Sequence, residues 1–492
     1  MAFFGEKNIS LCSKNDMCTS IQGRFAYFLS SELLREHMVK YRLKMLRIFS
    51  LSILTILCLY SSARQRVILI TIDGLRNDIL TNASQPAPFL HEMMQKSIYV
   101  PNVIGVNPTM TYPAHTTLVT GSTPLEHGIH CNRQFQFNRA EPALHNWYAD
   151  SIRTKTLWQI VKEQGGKTAS VFWPVTTGSK WIDFNLPEYF PTTKVNVSGM
   201  DYIRPVCTPS DIMAELEREA TGHLSDTTLR AGSFQYDAKV ASMVNYLTNR
   251  YKPDFMTVHL VTTDYKQHET GINSFETQQS IAAADHAIGL ILENLEYTHQ
   301  KDSVTIIVTG DHGFTQGRYR LHPNALLVSN GLLSEQPGGD WQACFNSLGA
   351  AAYMYVNPKL SSNQKARCIE KVRKILSEQP DSVRLLYNIL SNKEIIDIKG
   401  DPTAALCLAP VSGVGCSNER MGEFITNFKG GLHGYVYLSG TKAYDPTSLI
   451  VYGNIDRDLI KRFLSAPDTI QQTSIAPLIL SILEMNNNEQ SK

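Results

Sequence analysis

Net charge is nearly absent from this chain. Its 492 residues hold 46 Lys and Arg against 45 Asp and Glu, a formal charge of +1. With no dense basic block, there is no electrostatic footprint for a stable nucleic-acid partner, and phosphate recognition has to be local. Long apolar runs are equally scarce. The run near the start, Ile48 to Tyr60, has 13 residues, short of the roughly 20 that cross a bilayer as a helix. No tandem repeat or long low-complexity segment is present, which argues against solenoid and disordered classes. None of the nine cysteines sits in a CxxC spacing, which argues against a zinc site built from thiolates.

What the N-terminal region does contain has the form of a secretory signal peptide. Arg47 supplies a positive flank, Ile48 to Tyr60 the apolar stretch, and Ser61-Ser62-Ala63 a small-residue cleavage site. Export is therefore expected, to a periplasm or by secretion. The alternative is an uncleaved anchor, the one expected route to membrane association. Residues 1–44 show no repeat or core pattern and read as a non-native or dispensable extension ahead of a start at Met45. Beyond residue 63 lies a catalytic α/β domain, 64–492, with six cysteines, an even number compatible with an oxidising compartment and disulfides. Cys407 and Cys416, flanking a Pro/Gly turn, are the easiest pair to join.

Three apolar runs punctuate this domain. Val67 to Ile72 ends on Asp73-Gly74, Phe255 onward leads to Asp264, and Val304 to Val308 leads to Asp311-His312-Gly313. Such runs suit strands covered on both faces, and helical patterns at Thr156–Gln164, Tyr236–Leu247 and Ile281–Leu295 separate them. The expected fold is α/β, with a central mostly parallel sheet flanked by helices. Residues 335–430 are less regular and read as an elaborated subdomain, and Thr473 to Met485 as a docked helix.

In open α/β sheets ligands collect beyond the carboxyl ends of the strands, where all three runs carry acidic or Asp/His groups. Carboxylates crowded in low dielectric require a cation. Asp264 and His268 are four apart, on one helical face or across a tight turn, and His433 lies among glycines in "GGLHGY". With Asp73, Asp311 and His312 there are ligands enough for two ions. Coordination of a divalent metal would make a threonine alkoxide accessible near neutral pH. "NPTMTYPAHTTLVTG" offers five candidates: Thr109, Thr111, Thr116, Thr117 and Thr120. One beside a helix N-terminus would gain further from free backbone N–H groups.

The ordered set "ITIDGLR", "PTMTYPAHTTLVTG", "HGIHCN", "FWPV", "DYKQHETG", "TGDHGF" and "GLHGY" resembles the nucleotide pyrophosphatase/phosphodiesterase family of the alkaline phosphatase superfamily, over residues 66–485. The resemblance implies an alkaline-phosphatase-like core and zinc-dependent hydrolysis of phosphodiester or nucleotide pyrophosphate bonds through a covalent phosphothreonine. It selects Thr111 as the nucleophile. It implies two zinc ions per chain, one on Asp264, His268 and His433, the other on Asp73, Asp311 and His312 with the Thr111 oxygen nearby. Asn132 matches a phosphate-binding Asn, Tyr112 an aromatic that borders a base or leaving group, and Trp173, Tyr189 and Phe190 are further candidates for the substrate wall. His115 and His127 read as supports, and Asp285 as an exposed helical residue.

Two departures from the family pattern leave the metal ligands intact and the substrate open. Val175 stands where glycine commonly follows the Pro of "FWPV", and "HLVTTD" stands for Tyr-x-x-Glu-Pro-Asp. The expected partner is a nucleotide or other phosphodiester small molecule. Alternatives are hydrolysis of a phosphomonoester, phospholipid head group or phosphonate at the same site, or an inactive secreted binding protein.

Overall fold

The computed structural model describes residues 40–45, 47, 65–190, 199–438, 446–453, 455 and 457–489. Most of the expected signal segment, with Cys12, Cys18 and Cys58, lies outside the described residues. No helix among those described is long and apolar enough to cross a membrane. Residues 64–492 form one compact unit, distinct from residues 1–63.

Nine strands build the central sheet: β1 (Arg66–Ile72), β2 (Ile98–Ile104), β3 (Thr168–Val171), β4 (Phe184–Leu186), β5 (Phe255–Leu260), β6 (Val304–Thr309), β7 (Thr447–Tyr452), β8 (Leu464–Ala466) and β9 (Thr469–Gln471). Their order is β8-β9-β2-β7-β6-β1-β5-β3-β4. From β6 through β4 every neighbouring pair is parallel. Strand β7 runs antiparallel to both β6 and β2. The sheet is thus mostly parallel and, as its apolar runs imply, covered on both faces.

Alternation along β1 divides the core. Ile68, Ile70 and Ile72 enter a cluster with the helices Tyr236–Arg250 and Phe275–Tyr297. Val67 and Leu69 enter a second cluster with Leu118, Trp158 and the C-terminal helix Ile475–Glu489. Successive side chains of a strand point to opposite faces, so a strand buried at every position after Arg66 requires both covers. Between residues 335 and 430 a separate four-stranded antiparallel sheet forms from Ala343–Ser347, Ala352–Val356, Leu406–Pro410 and Tyr387–Ser391.

Two expectations are corrected here. Asp285 is buried: its carboxylate accepts the N–H groups of Leu90 at 2.8 Å and Phe89 at 3.2 Å, at the start of the helix Pro88–Lys96. The N–H groups left open at a helix start reward a buried carboxylate, which a helical pattern alone does not reveal. Cys407 and Cys416 form no disulfide and are buried free thiols. They pack in different clusters, Cys407 with Tyr353 and Leu348, Cys416 with Leu321 and Val414.

Candidate active site

The carboxyl edge of β1, β5 and β6 gathers the ligand candidates. Asp73 follows β1 directly, its N–H bonded to Leu260 O at 2.8 Å at the end of β5. Gly74 then turns the chain at φ +70°, where a Cβ would fall 2.7 Å from Gln267 Nε2 and against the Phe314 ring. Only glycine suits that combination of backbone and space. After β5 the chain enters the helix Thr262–Thr270, so Asp264 and His268 share one helical face. Asp311 and His312 follow β6 after Gly310, and His433 follows the short strand Gly431–Leu432 paired to Thr315–Gln316. At Gly434, φ is +84° and a Cβ would overlap Leu348 O, so His433 is held by a turn that excludes other residues.

These side chains form two overlapping groups, Asp264 with His268 and His433, and Asp73 with Asp264 and His312, the ligand atoms of each lying within 4.8 Å of one another. Asp264 belongs to both. Asp311 lies against His312, its Oδ2 3.1 Å from Nε2, while its Oδ1 accepts Gly74 N–H at 3.1 Å.

The donor set itself points to cations. His268, His312 and His433 each direct Nδ1 at a backbone carbonyl, of Gly431, Gly313 and Thr109, at 3.2, 3.2 and 3.0 Å. A carbonyl accepts only, so Nδ1 carries the proton and the Nε2 lone pair faces inward, the arrangement of a metal-binding imidazole. His433 Nε2 and His268 Nε2 then approach to 3.0 Å, lone pair toward lone pair. Asp73 Oδ1, Asp264 Oδ1 and Asp311 Oδ2 are buried without a hydrogen-bond donor. Burial, followed by the charges of Asp264 and Asp311, raises the Asp73 carboxyl well above its usual range. Burial pushes His312 down to about 3 and, with His312 and His268 nearby, holds His433 well below the usual range. Neutral imidazoles and mutually repelling carboxylates fit divalent cations, which would satisfy every one of these atoms.

Thr111 is the first residue of the helix Thr111–Thr120, behind the extended Met110 and ahead of a left-handed stop at Gly121. Its Oγ1 lies 3.3 Å from His312 Nε2. The other four hydroxyls are engaged elsewhere. Thr116 and Thr120 donate to carbonyls one turn back, Thr117 meets His127 Nε2 at 3.1 Å, and Thr109 accepts the N–H groups of Gly434 and Tyr435. His115 is fully buried beneath this helix, bonded to Thr111 O and Thr71 Oγ1, both at 2.8 Å.

A cavity of about 1100 Å³ opens over Thr111, Asp73, Asp264 and His268. Asn132 borders it, its Oδ1 accepting Tyr112 N–H at 3.0 Å, which leaves the amide N–H groups to face a ligand. Tyr112, His145 and Glu188 form the inner wall, and Arg230, Phe234, Tyr265 and Lys266 the rim. A second cavity, about 470 Å³, touches Asp311 and His312 from the side of Asn107 and Gln472 but reaches neither Thr111 nor Asn132.

Three wall candidates are placed differently from expectation. Trp173 is completely buried, its ring edge-on to His115 at 4.5 Å and to Trp158 at 6.4 Å. The turn at "FWPV", with positive φ at Phe172 and Val175, carries it into the core. Tyr189 packs on Trp147 and meets the Tyr148 hydroxyl at 3.2 Å, and Phe190 joins the same cluster. Neither borders the cavity, because along this extended segment Glu188 takes the inward position.

Sequence reasoning missed His259 and Glu188. Tyr112 OH donates to Glu188 Oε1 at 2.8 Å, and His259 Nε2–H donates to Asp73 Oδ2 at 3.1 Å. Burial alone would lower His259, but Asp73 and Glu188 hold it well above the usual histidine range. The available signal was a histidine inside an otherwise apolar strand, at the position of the tyrosine in the pattern from which "HLVTTD" departs.

The chain is similar to several known proteins. Ectonucleotide pyrophosphatase/phosphodiesterase family member 3 of Mus musculus is 25% identical over 260 residues, 51% of this chain and 25% of that protein. Bis(5'-adenosyl)-triphosphatase enpp4 of Xenopus laevis is 24% identical over 267 residues, 52% of this chain and 48% of that protein. The chain thus spans about a quarter to a half of the length of these relatives. The solved structure of murine ectonucleotide pyrophosphatase/phosphodiesterase 5, an inactive threonine-to-alanine variant in complex with AMP, shares the fold with a TM-score of 0.57 at 18% identity, covering 85% of this chain and 95% of that one. Residues 67–433 match the model of type I phosphodiesterase / nucleotide pyrophosphatase, and the chain belongs to that family.

Proposed function

We propose that this chain is an exported, zinc-dependent phosphodiesterase acting on nucleotide pyrophosphates or related phosphodiesters. The observation that carries the proposal is Thr111 Oγ1, at the start of a ten-residue helix and 3.3 Å from His312 Nε2, on the floor of a cavity that Asn132 borders. Two zinc ions would be held by Asp264, His268 and His433 and by Asp73, Asp311 and His312. When bound, they lower the pKa of a nearby hydroxyl and offset charge on a transferred phosphoryl group.

In the first step Thr111 Oγ1 releases its proton to solvent and forms a bond to phosphorus. The bond from phosphorus to the leaving-group oxygen breaks, and that oxygen departs with the electron pair. The positive end of the helix that Thr111 begins favours the anionic oxygen before attack. The Asn132 amide donates to a nonbridging phosphoryl oxygen as charge develops there. Water then attacks phosphorus, releases the phosphoryl product and restores the Thr111 hydroxyl. Tyr112, at the inner wall, borders the group attached to phosphorus. Nucleotide substrates are supported by the family and by the AMP complex of the murine neighbour. Export is supported by the signal-like segment and by the ectoenzyme names of the relatives.

Purified protein with zinc should hydrolyse a chromogenic phosphodiester much faster than the matching monoester, and release a nucleoside monophosphate from a dinucleoside polyphosphate. Preference for the monoester would reject the diesterase assignment.

A further inference from the structure

Beneath the inner wall a continuous polar chain runs from the substrate cavity to a metal-ligand carboxylate. Tyr112 OH donates to Glu188 Oε1 at 2.8 Å, and Glu188 Oε2 lies 3.5 Å from His259 Nδ1. His259 Nε2 lies 3.1 Å from Asp73 Oδ2, and Nδ1 also faces Phe172 O at 3.3 Å. Both ring nitrogens therefore face only acceptors. His259 is 1% exposed, on β5 beside β1 in parallel register, with Thr71 as its direct partner. The His115 ring packs against it at 4.2 Å. Strand pairing and ring packing leave the imidazole little freedom, so the direction of its Nε2–H is set before any ion arrives.

The consequence falls on Asp73. With Oδ2 occupied by His259, Oδ1 is left without a donor and 3.4 Å from His312 Nε2. A carboxylate held by one oxygen presents the other in a fixed direction. Glu188 in turn accepts from Tyr112 and sets its other carboxylate oxygen 3.5 Å from His259 Nδ1, an ion-pair contact that places the partner of a metal ligand beside a side chain at the substrate wall.

We propose that His259 and Glu188 are a pair of positioning residues: His259 orients Asp73 toward its metal ion, and Glu188 holds His259 while tying that ligand to Tyr112. His259 opens the "HLVTTD" segment, at the tyrosine position of the pattern from which this chain departs. This role rests on the two-metal reading of the site, and the test separates the two.

Zinc affinity of the full chain is measured by competition with a chelating dye for wild type, His259→Phe, Glu188→Ala and the double variant, with thermal unfolding of each metal-free protein alongside. His259→Phe should weaken binding at one site by about 10–100-fold, with turnover restored by added zinc, and Glu188→Ala by less. The double variant should bind no more weakly than His259→Phe, because Glu188 acts through the ring. Unchanged affinity in His259→Phe, or losses that add in the double variant, would overturn the proposal. A lowered unfolding temperature with normal affinity would show a structural role only and also overturn it. If His259→Phe does not fold, His259→Gln, whose amide reaches Asp73 but not Glu188, takes its place and should show a smaller loss of affinity. Wild-type protein that binds no zinc would sink the metal reading itself, and this proposal with it.

Discussion

The floor of the cavity and its wall were built under different rules. On the floor, Asp73, Asp264, His268, Asp311 and His312 stand at places that backbone geometry dictates: the ends of β1 and β6 and one face of the helix after β5. On the wall, Tyr112, His145, Glu188, Arg230 and Tyr265 come from five separate segments, with Glu188 and Arg230 in irregular backbone. A ligand set on strand ends tolerates little change without loss of the ion, whereas a wall drawn from scattered segments has more freedom to vary, except where Glu188 and His259 connect it to Asp73. This contrast locates the departures from the family pattern at the wall and behind it, not among the ligands.

The sharpest way to break the contrast is at Thr111. Thr111→Ala should lower turnover on the order of 10⁴-fold or more, as expected for loss of a nucleophile, while zinc content stays near that of wild type because the six Asp and His candidates remain. Single-turnover kinetics and metal analysis on the same preparation test both halves. Retained turnover would remove Thr111 from the reaction; lost zinc would make it a ligand first and a nucleophile second.

Asp264 should be the next most costly position. It belongs to both ligand groups, whereas His433 belongs to one. Asp264→Asn is expected to reduce occupancy at two sites and activity on the order of 100-fold or more, and His433→Ala to deplete one site only. Equal depletion by the two substitutions would show that the floor is two independent sites.

The pH dependence of zinc binding sharpens the same comparison. Asp73 has its carboxyl raised by burial and by Asp264 and Asp311, so protons compete with zinc for it at higher pH than for an ordinary carboxyl. His312, lowered to about 3, has none to lose at working pH. Zinc affinity should therefore rise with pH by up to about tenfold per unit for each proton displaced, with carboxyl groups as the source. The metal-free fold responds in the opposite sense. Because the raised Asp73 carboxyl makes the folded state bind more protons than the unfolded chain above the ordinary Asp value of about 3.9, its stability declines as pH rises from there through the raised value. Zinc titrations and thermal unfolding from pH 5 to 8 test both trends; a zinc affinity independent of pH would contradict this assignment.

What the sequence disclosed follows the same division. The strands ending at Asp73 and Asp311, the helix carrying Asp264 and His268, and the family-implied Thr111 rest on short-range spacing and ordered motifs, which survive without knowledge of tertiary contacts. Trp173 was assigned to the wall because its motif was visible, yet the motif could not say which way the turn directs the ring. His259 escaped because a buried histidine in an apolar strand means nothing until Asp73 and Glu188 are brought to it from 186 and 71 residues away. Asp285 looked exposed because its partners, the N–H groups of Phe89 and Leu90, belong to another helix.

Val175 offers the finest test of how freely the wall varies. It holds φ +56°, a conformation that a β-branched residue rarely adopts, at a position where glycine is common in the family pattern. The strain amounts to roughly 1–2 kcal/mol. Against it stands complete burial beside Tyr112, Ile129 and Trp147, worth about 1.5–3 kcal/mol for a valine side chain. Glycine would release the strain but surrender that burial and enlarge the entropy of the unfolded chain by a further 0.5–1 kcal/mol or so. Val175→Gly should therefore destabilise the fold by only about 1–2 kcal/mol, visible as a small decrease in unfolding temperature. Val175→Ala keeps the positive φ and loses most of the burial, so it should destabilise at least as much. If instead glycine stabilises and alanine does not, backbone strain outweighs packing at this turn, and the valine is retained for the shape it gives the wall behind Tyr112.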